Sequence, residues 1–422
     1  AGRAIAFEAA GDQALKGKGA PVPAWRALRV VAGRGGAGRA DGLEPPFVGR
    51  NAELTLLKDL FEATARERKV RLVSITGVAG IGKSRLAWEF EKYLDGLVDD
   101  VYWHQGRSPA YGEGVTFWAL GEMVRGRAGI VEAEEAASSR PKIRAMLDRF
   151  VDDEDERRWI EPGLLALLGL EEARAGERGE LFAAWRTLFE RISDRGTAVL
   201  VFEDLQWADP GLVDFVEHMI GWSRTRPILV ITLARPELLD RRPSWGAGQR
   251  NFTSLHLEPL GEAAMRDLLA GFVPGLPTVA VRTILARAEG IPLYAVETVR
   301  MLVAEGALVR EGDAYAVRGA LTRLSVPETL HALVAARLDA LEPAARALVG
   351  DASILGSSFT VTGLAALTGQ EPGALDARLA SLVAGEVLRV EADPRSPERG
   401  QYQFMQAVTR EVAYGMLSKR ER

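Results

Sequence analysis

The sequence predicts an α/β fold: a parallel sheet core, then a helical segment, then a winged-helix unit. Three observations carry this reading. Short β-branched runs alternate with helical stretches from Phe47 to about Leu260. The octapeptide Gly77-Val78-Ala79-Gly80-Ile81-Gly82-Lys83-Ser84 lies between one such run and an amphipathic stretch. After Pro259 the strands stop and helical periodicity takes over, until a hairpin pattern near the end.

The elements follow in order. Candidate strands are Arg71–Thr76, Asp100–His104, Ala198–Phe202, Ile228–Leu233 and Ser254–Leu257. Arg85 to Leu94 reads as the helix after the first of them. Between the second and third strands, about 107–196 is charged and mostly helical, too long for a plain crossover. Ala263–Phe272 and Thr278–Glu289 read as helices. Gly290-Ile291-Pro292-Leu293 breaks the pattern, and Tyr294–Glu305 resumes it. From Val326 three or four short helices lead to Val387–Val390, a polar tip through Asp393 and Gly400, and a return run at Gln401–Phe404. Helices followed by such a hairpin suggest a winged helix. The expected divisions are therefore a first segment at 1–32, a Gly- and Pro-rich linker at 33–46, an α/β domain at 47–260, a helical domain at 261–322 and a winged-helix domain at 323–422.

Composition narrows the class. The 422 residues are 47% hydrophobic and 26% charged, as in soluble globular chains. A net charge of −5 argues against nucleic acid or an anionic membrane as the main partner. No cysteine is present, so disulfides and thiolate metal sites are excluded. His104, His218, His256 and His331 form no pair at metal-ligand spacing. No secretory signal or long apolar run is visible, so a cytoplasmic location is expected. The missing initiator methionine and the charged end after an amphipathic stretch suggest a piece of a longer protein.

The octapeptide is a complete G-x-x-x-x-G-K-[ST] motif in the strand–loop–helix context it requires. Its glycines let backbone N–H groups wrap a phosphate, and the helix start adds positive partial charge. Lys83 is expected on the β- and γ-phosphates, and Ser84 on Mg²⁺. Gly77, Ala79, Gly80, Ile81, Gly82 and Arg85 complete the candidate phosphate cradle. Such a loop needs an acidic partner at the end of a neighbouring strand. Glu203 and Asp204 follow the apolar run Ala198–Phe202 and supply two carboxylates, candidates for metal binding and for orienting water. Arg235 ends the next run and could reach a γ-phosphate. Arg50 by pattern alone fits a turn with a surface side chain.

Phe47-Val48-Gly49-Arg50, the phosphate loop, Glu203-Asp204-Leu205-Gln206-Trp207-Ala208-Asp209, Leu233-Ala234-Arg235-Pro236 and Gly290-Ile291-Pro292 occur in one order. That order resembles the STAND-type P-loop (AAA-like) signalling ATPases, over Phe47 to about Ser418. The likeness is greatest to the ATPase portion of bacterial proteins that join a class III adenylate/guanylate cyclase to a STAND ATPase and C-terminal helical repeats. Leu15-Lys16-Gly17-Lys18, with Val22, Trp25 and Val30, resembles the last strands of such a cyclase domain. The resemblance implies a five-stranded core of the ASCE type, with helical and winged-helix domains closing over ATP or ADP. It places Val48, Gly49 and Arg50 beside the adenine, with Pro292 touching it. It makes Glu203 the metal-side acid, Asp204 the catalytic acid and Arg235 the phosphate sensor. Two departures stand out. The acids run Glu then Asp rather than Asp first, so which is the base stays open. Gln406 replaces the histidine that often contacts the β-phosphate, and it brings no titratable charge.

The expected function is a nucleotide-gated switch that binds ATP with Mg²⁺, hydrolyses it slowly and regulates an attached cyclase. Slow turnover is expected because no arginine from a second chain is evident, and such a finger is worth roughly 10³–10⁵ in rate. The attached cyclase domain and helical repeats are the expected partners, and nucleotide-dependent self-association is compatible with the reading. The alternative is an ATP-dependent transcriptional regulator whose winged helix reads DNA. Its wing, Glu391–Arg399, carries three acids and two arginines, a poor match for a phosphate backbone. Cyclase chemistry by the chain itself is not expected, because a core with paired metal-binding aspartates is lacking.

Overall fold

In the computed structural model, the described residues are 5–13, 22–30, 45–97, 100–109, 116–131, 134–171, 178–311, 314–318, 327, 329–391 and 398–418. The Leu15–Gly19 run, the linker at 33–44, the hairpin tip at 392–397 and the last residues at 419–422 lie outside them. In the first segment, β1 (Ile5–Gln13) and β2 (Val22–Val30) pair antiparallel.

The α/β part runs α1 (Asn51–Glu67), β3 (Arg71–Thr76), α2 (Lys83–Asp95) and β4 (Val101–Arg107). Four insert helices follow: α3 (Trp118–Ala128), α4 (Ala136–Phe150), α5 (Glu154–Leu167) and α6 (Arg178–Arg195). Then come β5 (Thr197–Glu203), α7 (Pro210–Trp222), β6 (Ile228–Ala234), α8 (Glu237–Arg241) and β7 (Phe252–His256). The five strands form one parallel sheet in the order β4-β5-β6-β3-β7. All five fall where the alternation of apolar runs places them.

Successive strand residues point to opposite faces, so each strand feeds two cores. Ala198, Leu200 and Phe202 of β5 pack with the insert helices, whereas Val199 and Val201 pack with Phe90 and Leu57 of α2 and α1. Both faces are covered, which is why these strands read as unbroken apolar runs. Helix starts match their sequences: Asp209 accepts from Leu212 N–H to cap α7, and Pro210 follows at the first helical position.

The remainder holds α9 (Glu262–Phe272), α10 (Thr278–Ala288) and α11 (Pro292–Ala304), then β8 (Leu308–Glu311) and β9 (Ala314–Val317). Next are α12 (Leu330–Asp339), α13 (Pro343–Leu355), β10 (Ser358–Phe359), α14 (Val361–Thr368), α15 (Pro372–Ala384), β11 (Leu388–Val390), β12 (Tyr402–Phe404) and α16 (Ala407–Met416). The expectation that strands stop after Pro259 is corrected here. β8 and β9 form an antiparallel hairpin directly after α11, where Gly306 at φ 69° turns the chain back. β11 and β12 pair as the expected hairpin, and β10 joins the other edge of β12. One continuous apolar core runs from Met265 and Phe272 of α9 to Phe404 and Val412 at the end, so these helices pack as a unit. Among the described residues no helix is long and apolar enough to cross a membrane.

Candidate functional site

The phosphate loop follows β3, Glu203 ends β5, and Arg235 follows β6. These strands run parallel, so their carboxyl ends share the edge where open α/β sheets bind ligands. One expectation is revised. The acid-bearing strand is not next to β3, because β6 lies between them. Arg235 is thereby set between the loop and the acids.

This edge opens into a cavity of about 370 Å³. Ala79, Gly80, Ile81, Gly82, Lys83, Ser84 and Arg85 line one wall. Gly77 sits behind that wall, its N–H donating to Ala234 O at 3.3 Å. Gly82 adopts φ +108°, and a Cβ there would meet nothing within 4 Å, so backbone and open space face each other where a phosphate would rest. Lys83 Nζ donates to the carbonyls of Gly77 (2.7 Å) and Val78 (3.0 Å), holding the ammonium inside the loop. Burial lowers its pKa to about 8, Arg235 adds to that, and Asp204 opposes it. Ser84 is solvent-exposed in the first turn of α2.

The opposite walls come from both ends of the chain. Val48, Leu260, Leu268, Pro292 and Val296 give an apolar end to the cavity, which Arg50 also lines. Arg50 is buried, not the surface side chain that its turn suggests. It pairs with Glu53 at 2.9 Å and donates to the Glu258 carbonyl. Those bonds pin the strap containing Gly49 over α9. Leu293 N–H donates to Gly80 O at 3.2 Å, so the start of α11 touches the phosphate loop directly.

The acids are not equivalent. Glu203 is 1% exposed and does not line the cavity. It accepts from Gln105 Nε2 at 2.6 Å and from the Arg107 guanidinium at the end of β4. Asp204 lines the cavity, with Arg107 Nε 3.5 Å from its Oδ2. Its backbone is left-handed (φ 54°, ψ 40°), uncommon for a residue with a side chain. Gln206 is buried beside it, donating to Asp204 Oδ1 at 3.1 Å and accepting from Arg235 N–H at 3.0 Å.

Arg235 lines the cavity, but its guanidinium is held by Glu411 of α16, Nη2 to Oε2 at 2.6 Å. His331 Nε2 stands 3.5 Å from the same carboxylate. Burial would push Glu411 up; the Arg235 guanidinium, helped by His331, outweighs it and keeps the carboxyl below its usual range. Gln406 also lines the cavity and donates to Glu297 Oε1 at 3.0 Å. Thus all the predicted residues meet at one edge, with Gly77, Gly49 and Glu203 behind the cavity wall. Sequence reasoning missed Arg107 and Glu411, and gave Gln206 no role. Among the described residues no three His, Asp or Glu side chains gather as a metal cluster. Ser84 and Asp204 do suit Mg²⁺, which takes few protein ligands and fills its shell from phosphate and water.

Comparisons with known proteins agree with this geometry. Residues 46–231 match the family model of the AAA ATPase domain. Over 271 residues, 62% of the chain, it is 30% identical to an uncharacterized protein of Rhizobium meliloti (strain 1021), covering 25% of it. Among solved structures, it aligns at a TM-score of 0.50 and 15% identity with the Signal Transduction ATPase with Numerous Domains (STAND) protein with a tetratricopeptide repeat sensor from Pyrococcus horikoshii. That alignment covers 90% of this chain and 45% of the other. The Aeropyrum pernix Orc1 protein in complex with DNA aligns more loosely, at 14% identity and a TM-score of 0.40, over 89% of this chain and 95% of that one. The chain spans a quarter of the curated relative and under half of the STAND structure. Phosphate loop and strand order are those of a P-loop ATPase module, and the match to the AAA ATPase domain model falls on the same residues, 46–231.

Proposed function

We propose that this chain is a nucleotide-gated switch that binds ATP with Mg²⁺ and hydrolyses it slowly. The observation that carries the reading is the Arg235–Glu411 pair. One arginine lines the nucleotide cavity and at the same time clasps a carboxylate of the C-terminal unit. A γ-phosphate and Glu411 compete for the same guanidinium, so nucleotide state and domain packing become one equilibrium.

Each residue has a part in that scheme. The loop backbone and Lys83 grip the β- and γ-phosphates, and Ser84 offers its hydroxyl to the metal. Mg²⁺ held by Ser84 and Asp204 would supply charge neutralisation at the phosphates. Asp204 faces the cavity and orients the attacking water. Glu203, clamped by Arg107, holds the end of β5 and stands behind Asp204 on the metal side. The apolar end formed by Val48 and Pro292 suits a purine base, and Gln406 approaches from the C-terminal unit. We read α12–α16 with β10–β12 as the winged-helix unit.

That the module governs an attached adenylate/guanylate cyclase, in a longer protein with helical repeats, rests on the resemblance of the first segment. The paired β1 and β2 support it, as does the greater length of the matched relatives. Cyclic nucleotide output of the full-length protein with and without Lys83→Ala tests this link, and unchanged output refutes it.

The switch itself is tested by Glu411→Gln. Freed from its carboxylate, Arg235 is expected to favour ATP over ADP by roughly 5- to 150-fold more than in the wild type, the usual range of such couplings. Arg235→Ala should abolish the discrimination. Titration calorimetry with both nucleotides measures it, and an unchanged ATP-to-ADP ratio in Glu411→Gln would sink the proposal.

A further inference from the structure

We infer that Gln206 is a positioning residue for hydrolysis, a side-chain bridge that fixes Asp204 and Arg235 relative to each other. The inference rests on the ATPase reading above and assigns a task to a residue that the reading does not use.

The strand ends create the need. The β5–β6 ladder has its last pair at Phe202 and Thr232, so beyond it the main chains of the two strands part. Arg235 N–H therefore has no strand partner, and a buried amide left unpaired costs about 1–3 kcal/mol. Gln206 Oε1 supplies the acceptor at 3.0 Å. On the other side, Asp204 sits in a left-handed conformation that directs its carboxylate to the cavity. Gln206 Nε2 donates to that carboxylate at 3.1 Å, and Trp207 N–H donates to the Asp204 carbonyl at 2.9 Å.

Gln206 is itself anchored. It is 2% exposed, and its own carbonyl accepts from the Arg241 guanidinium of α8. The two ends of its amide face opposite needs, a donor N–H and an acceptor carboxylate, and a primary amide of this reach satisfies both. The chain of bonds continues, because Ala234 O accepts from Gly77 N–H at the start of the phosphate loop. Loop, sensor and acid are thus set in one register through a single side chain. A misplacement of about 1 Å at such a site can cost about 10²-fold in rate.

The test compares Gln206→Glu and Gln206→Met with Asp204→Asn in the whole chain. Glutamate keeps the acceptor for Arg235 N–H but turns a carboxylate toward Asp204; methionine keeps the volume and loses both bonds. For Gln206→Glu the expected result is a kcat at least tenfold lower, in a chain that still folds, with Kd for a non-hydrolysable ATP analogue close to wild type. Gln206→Met should also lose kcat by more than it loses nucleotide affinity. In the Asp204→Asn background, Gln206→Glu should cost little more, because the two residues act as a unit. Unchanged kcat in both Gln206 variants, or losses of kcat that merely track affinity and stability, overturns the assignment. Full activity in Asp204→Asn would instead overturn the role of the acid, and the positioning role with it.

Discussion

Lys83 shows how one residue reports on the whole site. Its half-buried ammonium sits in the loop with carbonyls as partners, and desolvation brings it to about 8 from an ordinary 10.5. Because the folded pKa is lowered, the free fold binds fewer protons than the unfolded chain between those values. Stability from this residue therefore rises with pH across that window. Nucleotide binding works the other way, since phosphate favours the charged amine. Mg·ATP affinity should fall as pH rises through 8, by up to about tenfold per unit, with proton uptake on binding. Calorimetry in buffers of different ionisation heat checks both, and Lys83→Ala should remove the pH dependence along with most of the affinity. Lys83, Ser84, Glu203, Asp204 and Arg235 were legible in the sequence because chemistry restricts which residue types serve there. Arg107 was not, since arginine is abundant here and its partner Glu203 lies 96 positions away.

Elements set the precision of the site through close backbone contacts. β4 meets α3 so tightly at Gly106 that a Cβ there would lie 1.9 Å from the Ala119 carbonyl oxygen. Arg107, which clamps Glu203, is the next residue, and its N–H donates to Glu122 of α3 at 2.7 Å. Gly106→Ala should therefore displace α3, cost about 2–4 kcal/mol and loosen the acid pair. Chemical denaturation measures the loss; a shift below about 0.5 kcal/mol would show that the contact yields. The five core strands were legible because both their faces are buried, giving continuous apolar runs. The β8–β9 hairpin was missed although Gly312-Asp313 stands between two short alternating runs. Four-residue strands that pair only with each other leave a weak pattern beside long helices.

At the scale of the whole molecule, charge adds to the shared apolar core where α11 meets the C-terminal unit beside the cavity. Glu297 is 1% exposed and is met by Arg300 and Arg337 as well as Gln406. Burial would push its carboxyl up, but the two guanidiniums outweigh that and hold it below the usual range. Its stabilisation is present above the ordinary carboxylate pKa and is lost as pH falls through the depressed one. Glu297→Ala leaves two arginines without their buried partner and should cost about 3–5 kcal/mol. It should also release Gln406 from α11, and on the proposed switch reading this gives faster ADP exchange. Wild-type exchange rates in a folded Glu297→Ala protein would contradict this.

The sequence by itself determined the phosphate loop, the parallel core and the residue types at the cavity edge. Those properties are written locally, in the periodicity of apolar residues and in a motif of eight. Only the tertiary structure decided that β6 separates loop from acid, that Glu203 is locked by Arg107 and that Glu411 holds Arg235. These depend on residues far apart in the chain, the last pair by 176 positions, which no local pattern encodes. The physical reason is that strand order and ion pairing are settled by how whole faces pack, and only the folded chain brings those faces together.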